Sequence, residues 1–271
     1  MSLPPSLPTV GVLGAEAEAL RAAGLAVQTA PPGDAAEGAR QLAQRCGIVV
    51  VGGPPETRAS AARAAVSAGA HAFLTWPPSV SADEAASLAA RAEEAGVEVG
   101  VARALRLSGL LAARPDGWTA RLVTLTLEAA PDDALPWAHR LAGALDACAT
   151  LTGSRDPARL DAAAERDGGR LAALAVALRF RNGAYAQLSV RLDAEAEGLM
   201  LYAVGPGGRV EARAPGGPLC IDGDAPPALG PPEDEAVAFV RAVAAGRRAP
   251  LSLDDALATM RLAERVHARL R

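Results

Sequence analysis

Short apolar runs alternate with Ala-rich amphipathic stretches through the first hundred residues. Thr9-Val10-Gly11-Val12-Leu13 predicts a first strand, and 15–23 a short helix stopped by Gly24. A second strand follows at 26–29. Asp34 can cap a helix to about Arg45, because its carboxylate accepts from the unpaired N–H groups of a first turn. The run 47–51 is apolar throughout except for its glycine, as a parallel strand covered on both faces must be. Gly52-Gly53-Pro54-Pro55 is a turn, and Glu56 or Thr57 opens a helix that ends near Gly69. A fourth strand, 71–75, runs into the Pro77-Pro78 break. Ser81 caps a helix to Ala95, and 97–101 is a fifth strand. Alternation at this length requires right-handed crossovers and a parallel sheet.

After about Leu107 the pattern changes. Residues 118–127 alternate as a half-buried strand does, and Asp133 precedes a helix to about Thr152. Extended segments follow at 159–166, 171–181, 184–191, 199–204 and 209–213. Asn182-Gly183 predicts a two-residue type I′ hairpin, whose central residues both need positive φ. Pro206-Gly207-Gly208 is a further turn. Between 214 and 232 neither period is visible, which predicts a loop. Helices at 233–245 and 252–270 close the chain. The predicted architecture is α/β: a Rossmann-like parallel-sheet domain over 1–107, then an α+β domain with a mainly antiparallel sheet over 108–271. The many charges of 154–170 fit a solvated strand edge.

Composition narrows the chemistry. Hydrophobic residues make up 50% of the chain but aromatics only 3%, so the core is built from Ala, Val and Leu. A net charge of −4 argues against nucleic acid, which selects clustered basic surface. No 18-residue apolar run predicts a membrane helix, and the start lacks the pattern of a secretory signal. Cys46, Cys148 and Cys220 are odd in number, without metal spacing. They are expected to be buried, inert thiols in a reducing cytoplasm. All 27 basic residues are Arg, so no mechanism that needs a lysine amine is open to this chain.

The order of these features resembles the glucose–fructose oxidoreductase / inositol dehydrogenase / MocA family (Gfo/Idh/MocA). The segment from Gly47 to Arg106 carries most of it. Val49-Val50-Val51-Gly52-Gly53-Pro54-Pro55 resembles the family's strand and Thr-Pro-Pro-like turn. Ala68-Gly69-Ala70-His71 followed by Thr75-Trp76-Pro77 resembles its Gly-Lys-His strand and Glu-Lys-Pro tripeptide. Farther on, Phe180-Arg181-Asn182-Gly183, the Gly205–Gly208 turn and the segment 239–255 resemble its hairpin, glycine turn and closing helices.

What the resemblance implies is an NAD(P)-dependent sugar or polyol oxidoreductase, and the expected chemistry is depleted. Gly11 and Gly14 stand where a dinucleotide loop should be, but a third glycine is missing and the following helix looks short. Glu16 and Glu18 put negative charge near the pyrophosphate position, where they serve equally as helix-start carboxylates. After the second strand stands Gln28-Thr29-Ala30, without the carboxylate that holds ribose hydroxyls. Gly52, Gly53, Pro54, Thr75, Trp76 and Pro77 complete the candidate cofactor edge. The lysine that the family places between nicotinamide and substrate is Trp76, which cannot act as an acid or base. Trp76 either fills the vacated cleft or stacks on an unknown ligand. The family's catalytic Asp and His fall on His139 and Gly143, and a shifted frame puts His139 at the His position. Asp146 matches a further, structural Asp. His71 and His267 have no functional reading, and Asp132-Asp133 and Asp254-Asp255 are helix-start charges.

Three functions remain. The first is a homologue without catalysis and with no cofactor, a structural or regulatory partner in a homo-oligomer or with an active paralogue. The resemblance places such contacts on the open face of the second sheet. The second is an NAD(P)-dependent oxidoreductase with a rebuilt site using His139. The third is a small-molecule binding protein whose cleft is lined by Trp76, Trp118 and Trp137. No metal site is expected.

Overall fold

The computed structural model describes residues 8–14, 17–31, 33–102, 117–129, 137–195, 198–214, 219–221, 234–249 and 252–270. The chain forms two compact units. One comprises Met1–Arg103 and Glu233–Leu257, the other Ala104–Pro232 and Ala258–Arg271. By contact, the segment from Glu233 to Leu257 groups with the first unit rather than with the rest of 108–271.

Five parallel strands build the first unit in the order β2-β1-β3-β4-β5. They are β1 (Val10–Leu13), β2 (Val27–Thr29), β3 (Ile48–Val51), β4 (His71–Leu74) and β5 (Val99–Val101). Helices α1 (Glu18–Ala22), α2 (Ala35–Ala43), α3 (Pro55–Ser67) and α4 (Ala82–Ala95) connect them. On β3, Val49 and Val51 join the cluster with Ala39, Leu42, Ala61 and Ala65. Ile48 and Val50 join the opposite cluster with Val10, Val12, Leu20 and Phe73. Alternate side chains thus enter two cores, so every position must be apolar. Asp34 and Ser81 cap as expected, accepting from the N–H groups of Glu37 (2.8 Å) and Glu84 (3.2 Å). The helix α6 (Glu235–Ala244) returns to this sheet and sets Phe239 against Phe73, with ring centroids 5.3 Å apart.

The second unit holds a seven-stranded sheet in the order β12-β11-β10-β6-β9-β8-β7. Its strands are β6 (Leu122–Glu128), β7 (Pro157–Asp167), β8 (Arg170–Phe180), β9 (Tyr185–Arg191), β10 (Gly198–Gly205), β11 (Gly208–Ala214) and β12 (Leu219–Ile221). Among the described residues of this sheet only β6 and β9 pair in parallel. The helix α5 (Trp137–Thr152) packs on β6 and β9, and buries Val123, Leu125 and Leu127. The final helix, α7, spans Leu253–Arg269. Among the described residues no helix is long and apolar enough to cross a membrane.

Three local expectations are corrected. Within 214–232, Leu219–Ile221 pairs with β11; three residues are too few to display a period. The hairpin at Asn182-Gly183 has three loop residues. Gly183 N–H donates to the Phe180 carbonyl and Phe180 N–H to the Ala184 carbonyl, so a turn over Arg181-Asn182 is followed by Gly183 at φ 82°. Strand β6 begins at Leu122 rather than 118, because Ala120 N–H is taken by the Leu151 carbonyl of α5.

Candidate functional site at the carboxyl edge of the parallel sheet

In an open parallel sheet, neighbouring connections diverge where the strand order reverses, and a crevice opens beyond the strand ends. Here that point lies between β1 and β3. Gly14 and Gly52-Gly53 meet there. Gly52 N–H donates to the Leu13 carbonyl at 2.8 Å. Gly14 has φ 60°, and a Cβ on it would lie 3.2 Å from the Gly53 nitrogen. Only glycine combines that backbone with that approach. Gly11 plays another part: a Cβ there would meet Leu42 at 2.9 Å, so this glycine lets α2 pack closely on β1.

Beside these turns, Thr75-Trp76-Pro77 leaves β4 through a cis Trp76–Pro77 peptide. Thr75 and Trp76 are half-buried, and Pro77 and Pro78 are buried. One residue that sequence reasoning missed ties the edge together. Arg58, on the first turns of α3, is only 5% exposed. Its guanidinium donates to the carbonyls of Gly53, Thr75 (3.1 Å) and Pro77. Burial pushes its pKa down to about 10, against the opposing pull of the Glu56 charge. Its Nε is buried without a hydrogen-bond partner among the described residues. A signal was present: Ala61, Ala62 and Ala65 are buried on α3 at helical spacing, and Arg58 stands on that same stripe.

The other candidates stand on other elements. His139 and Gly143 sit on α5 in the second unit; Gly143 is buried, and the His139 side chain falls outside the described residues, as does that of Trp137. Trp118 is buried in the second unit. A Cβ on Gly205 would touch its ring at 2.8 Å, so the indole is packed against the β10–β11 turn. Glu16, Asp132 and Asp133 lie outside the described residues, as does the Cys220 side chain. Cys46 and Cys148 are buried, and burial raises both thiols. Among the described residues no group of His, Cys, Asp and Glu could hold a metal ion.

Among the described residues the contacts expected for a nicotinamide dinucleotide are incomplete. Helix α1 has five residues and no side-chain cap, so few aligned peptide dipoles face a pyrophosphate. No carboxylate stands at the end of β2, where Gln28 and Thr29 are exposed, and the next one, Asp34, caps α2. No ammonium stands at the end of β4.

These two sheets and their connections define the fold of Gfo/Idh/MocA-type dehydrogenases, and this chain has it. It is similar to UDP-N-acetylglucosamine 3-dehydrogenase GnnA from Acidithiobacillus ferrooxidans, at 16% identity over 97% of each chain with a TM-score of 0.78. It is also similar to the dehydrogenase MviM from Clostridium difficile, at 11% identity over 97% of this chain and 99% of that one, with a TM-score of 0.77. An oxidoreductase from Agrobacterium radiobacter, solved with NAD+, L-tartaric acid and magnesium, matches at 14% identity over 97% and 96% with a TM-score of 0.71. No family model and no curated protein matches the sequence.

Proposed function

We propose that this chain keeps the dehydrogenase fold without the family's hydride transfer, and acts as a structural or regulatory partner of itself or of an active paralogue. One observation carries the reading. The turn that resembles the family's catalytic tripeptide presents Trp76 in place of lysine, and Arg58 fixes that turn through the carbonyls of Thr75 and Pro77. An indole there neither takes up nor releases a proton in the ordinary pH range, so it cannot exchange one with a substrate hydroxyl. The Arg58 guanidinium is committed to backbone acceptors.

The open face of the second sheet supports a partner role. Leu122, Tyr185, Met200 and Tyr202 are exposed by 38–48%. Leu122 is level with Tyr185, and Tyr202 with Thr124 of β6, so all four belong to one face. A contiguous patch of this kind favours association. A reducing cytoplasm is the setting this reading assumes.

A second reading, an NAD(P)-dependent oxidoreductase with a rebuilt site, is favoured by the retained strand-order reversal and by the close Gly14–Gly53 approach. Titration with NADH and NADPH, followed by cofactor fluorescence, separates the two. No binding up to about 1 mM, the upper end of ordinary enzyme affinities, is expected. Micromolar binding with turnover of a sugar or polyol would sink the first reading.

A further inference from the structure

We propose that a cavity at the amino end of the parallel sheet binds a free amino acid with a basic side chain. The cavity lies within the first unit, between the last turns of α4, the approach to β5 and the segment joining α6 to α7. Its volume of about 600 Å³ suits a small molecule. Gly14 and Trp76 stand at the opposite, carboxyl end of the strands. The inference is therefore independent of whether hydride transfer has been lost there.

Two ties hold the walls together. The Glu98 carboxylate accepts from Ala249 N–H at 3.2 Å, and Ser252 forms a bridge with Gly100 of β5. Helix α7 starts just beyond, where Ser252 Oγ accepts from Asp255 N–H at 3.2 Å. Glu93, Arg248 and Asp254 are thereby brought to one cavity from three parts of the unit. Among the described residues none of these three side chains makes an ion pair or hydrogen bond. Glu93 is the most telling of them. It stands in the last turn of α4, where the helix carbonyls favour a cation. Arg91 bonds to Glu94 and Ser67 instead. A positive group arriving from outside would offset that misplaced charge.

The signs of the lining select the ligand. Three carboxylates, Glu93, Glu98 and Asp254, face one guanidinium, Arg248, which leaves a formal charge of −2. A phosphate or dicarboxylate meets more repulsion than attraction there. A polyamine sets a further cation against Arg248. An amino acid with an uncharged side chain answers Arg248 and one carboxylate, and leaves another open. A basic amino acid answers all three unpaired groups. Its carboxylate goes to Arg248, and its two cations go to Glu93 and Asp254. Ala89 and Val97 offer an apolar wall for its methylenes.

Calorimetric titration of the full chain with L-lysine and L-arginine, and with their decarboxylated forms cadaverine and agmatine, tests this. At least one amino acid is expected to saturate the chain with a Kd below about 1 mM. Its decarboxylated form should bind at least about tenfold more weakly, having nothing to offer Arg248. Arg248→Ala should weaken the amino acid by about the same factor and spare the decarboxylated form, whereas Glu93→Gln should weaken both. These side chains are exposed, so both variants should keep the parent's unfolding midpoint. The proposal is overturned if neither amino acid saturates by about 1 mM, or if a decarboxylated form binds as tightly. Binding that ignores Arg248→Ala or Glu93→Gln overturns it as well.

Discussion

The two ends of the parallel sheet are held by different chemistry. At the carboxyl end a permanent cation, Arg58, is buried and bonded to carbonyls on two turns. At the amino end the bonds run through groups that titrate. Glu98 N–H donates to Nδ1 of His71 at 2.9 Å, and the Glu98 carboxylate accepts from Ala249 N–H at 3.2 Å. There a cavity of about 600 Å³ opens beside Glu98, Arg248 and Asp254. One end is tied by a group that keeps its charge through the ordinary pH range. The other is tied in part by the His71 imidazole, whose pKa burial lowers.

Removing Arg58 tests that contrast most severely. Arg58→Ala strips donors from three carbonyls and leaves a void on the buried stripe of α3. Bonds from a charged donor contribute roughly 1.5–3 kcal/mol each but are not additive, so a loss of about 3–5 kcal/mol is expected in urea titration. Arg58→Lys keeps the charge but cannot span both turns, and should recover less than half. A loss below about 1 kcal/mol for Arg58→Ala would mean that the guanidinium is not what holds this end.

Gly14→Ala is the next largest. It places a Cβ 3.2 Å from the Gly53 nitrogen on a backbone at φ 60°. Strain and crowding together are expected to cost about 1–3 kcal/mol. A neutral outcome would mean that the β1 and β3 turns separate readily, and would favour a crevice able to admit a ligand.

The parallel sheet was legible because its signals are local. The apolar run at 48–51 and the caps at Asp34 and Ser81 each depend on a few neighbouring residues. What stayed hidden depends on distant partners. Nothing in 235–244 says that an amphipathic helix will bring Phe239 to Phe73, some 166 residues earlier. The same holds for Ala120, whose N–H is diverted to Leu151. At the candidate site, the glycines and Trp76 were visible because the resemblance assigns those positions a task. Arg58 was passed over because an arginine on a helix is ordinarily solvated. Only the small, buried residues that share its stripe give it away.

The smallest effect isolates the amino end. Burial lowers the His71 pKa from its ordinary 6.5, and the nearby Glu98 charge opposes this only in part. The geometry gives the same direction, since Nδ1 accepts a backbone N–H and cannot do so once protonated. The folded state therefore binds fewer protons than the unfolded one in this window. His71's contribution is fully present above the unfolded value of about 6.5 and is lost as pH falls through the folded pKa. The ring is only half-buried, so solvent screening keeps the effect small. Unfolding free energies at pH 8 and near pH 5.5 should differ less in His71→Gln than in the parent. Carboxylates that titrate in both proteins cancel in that difference. An identical pH dependence would show that His71 releases Glu98 without cost, and the amino end would then be as indifferent to pH as the carboxyl end.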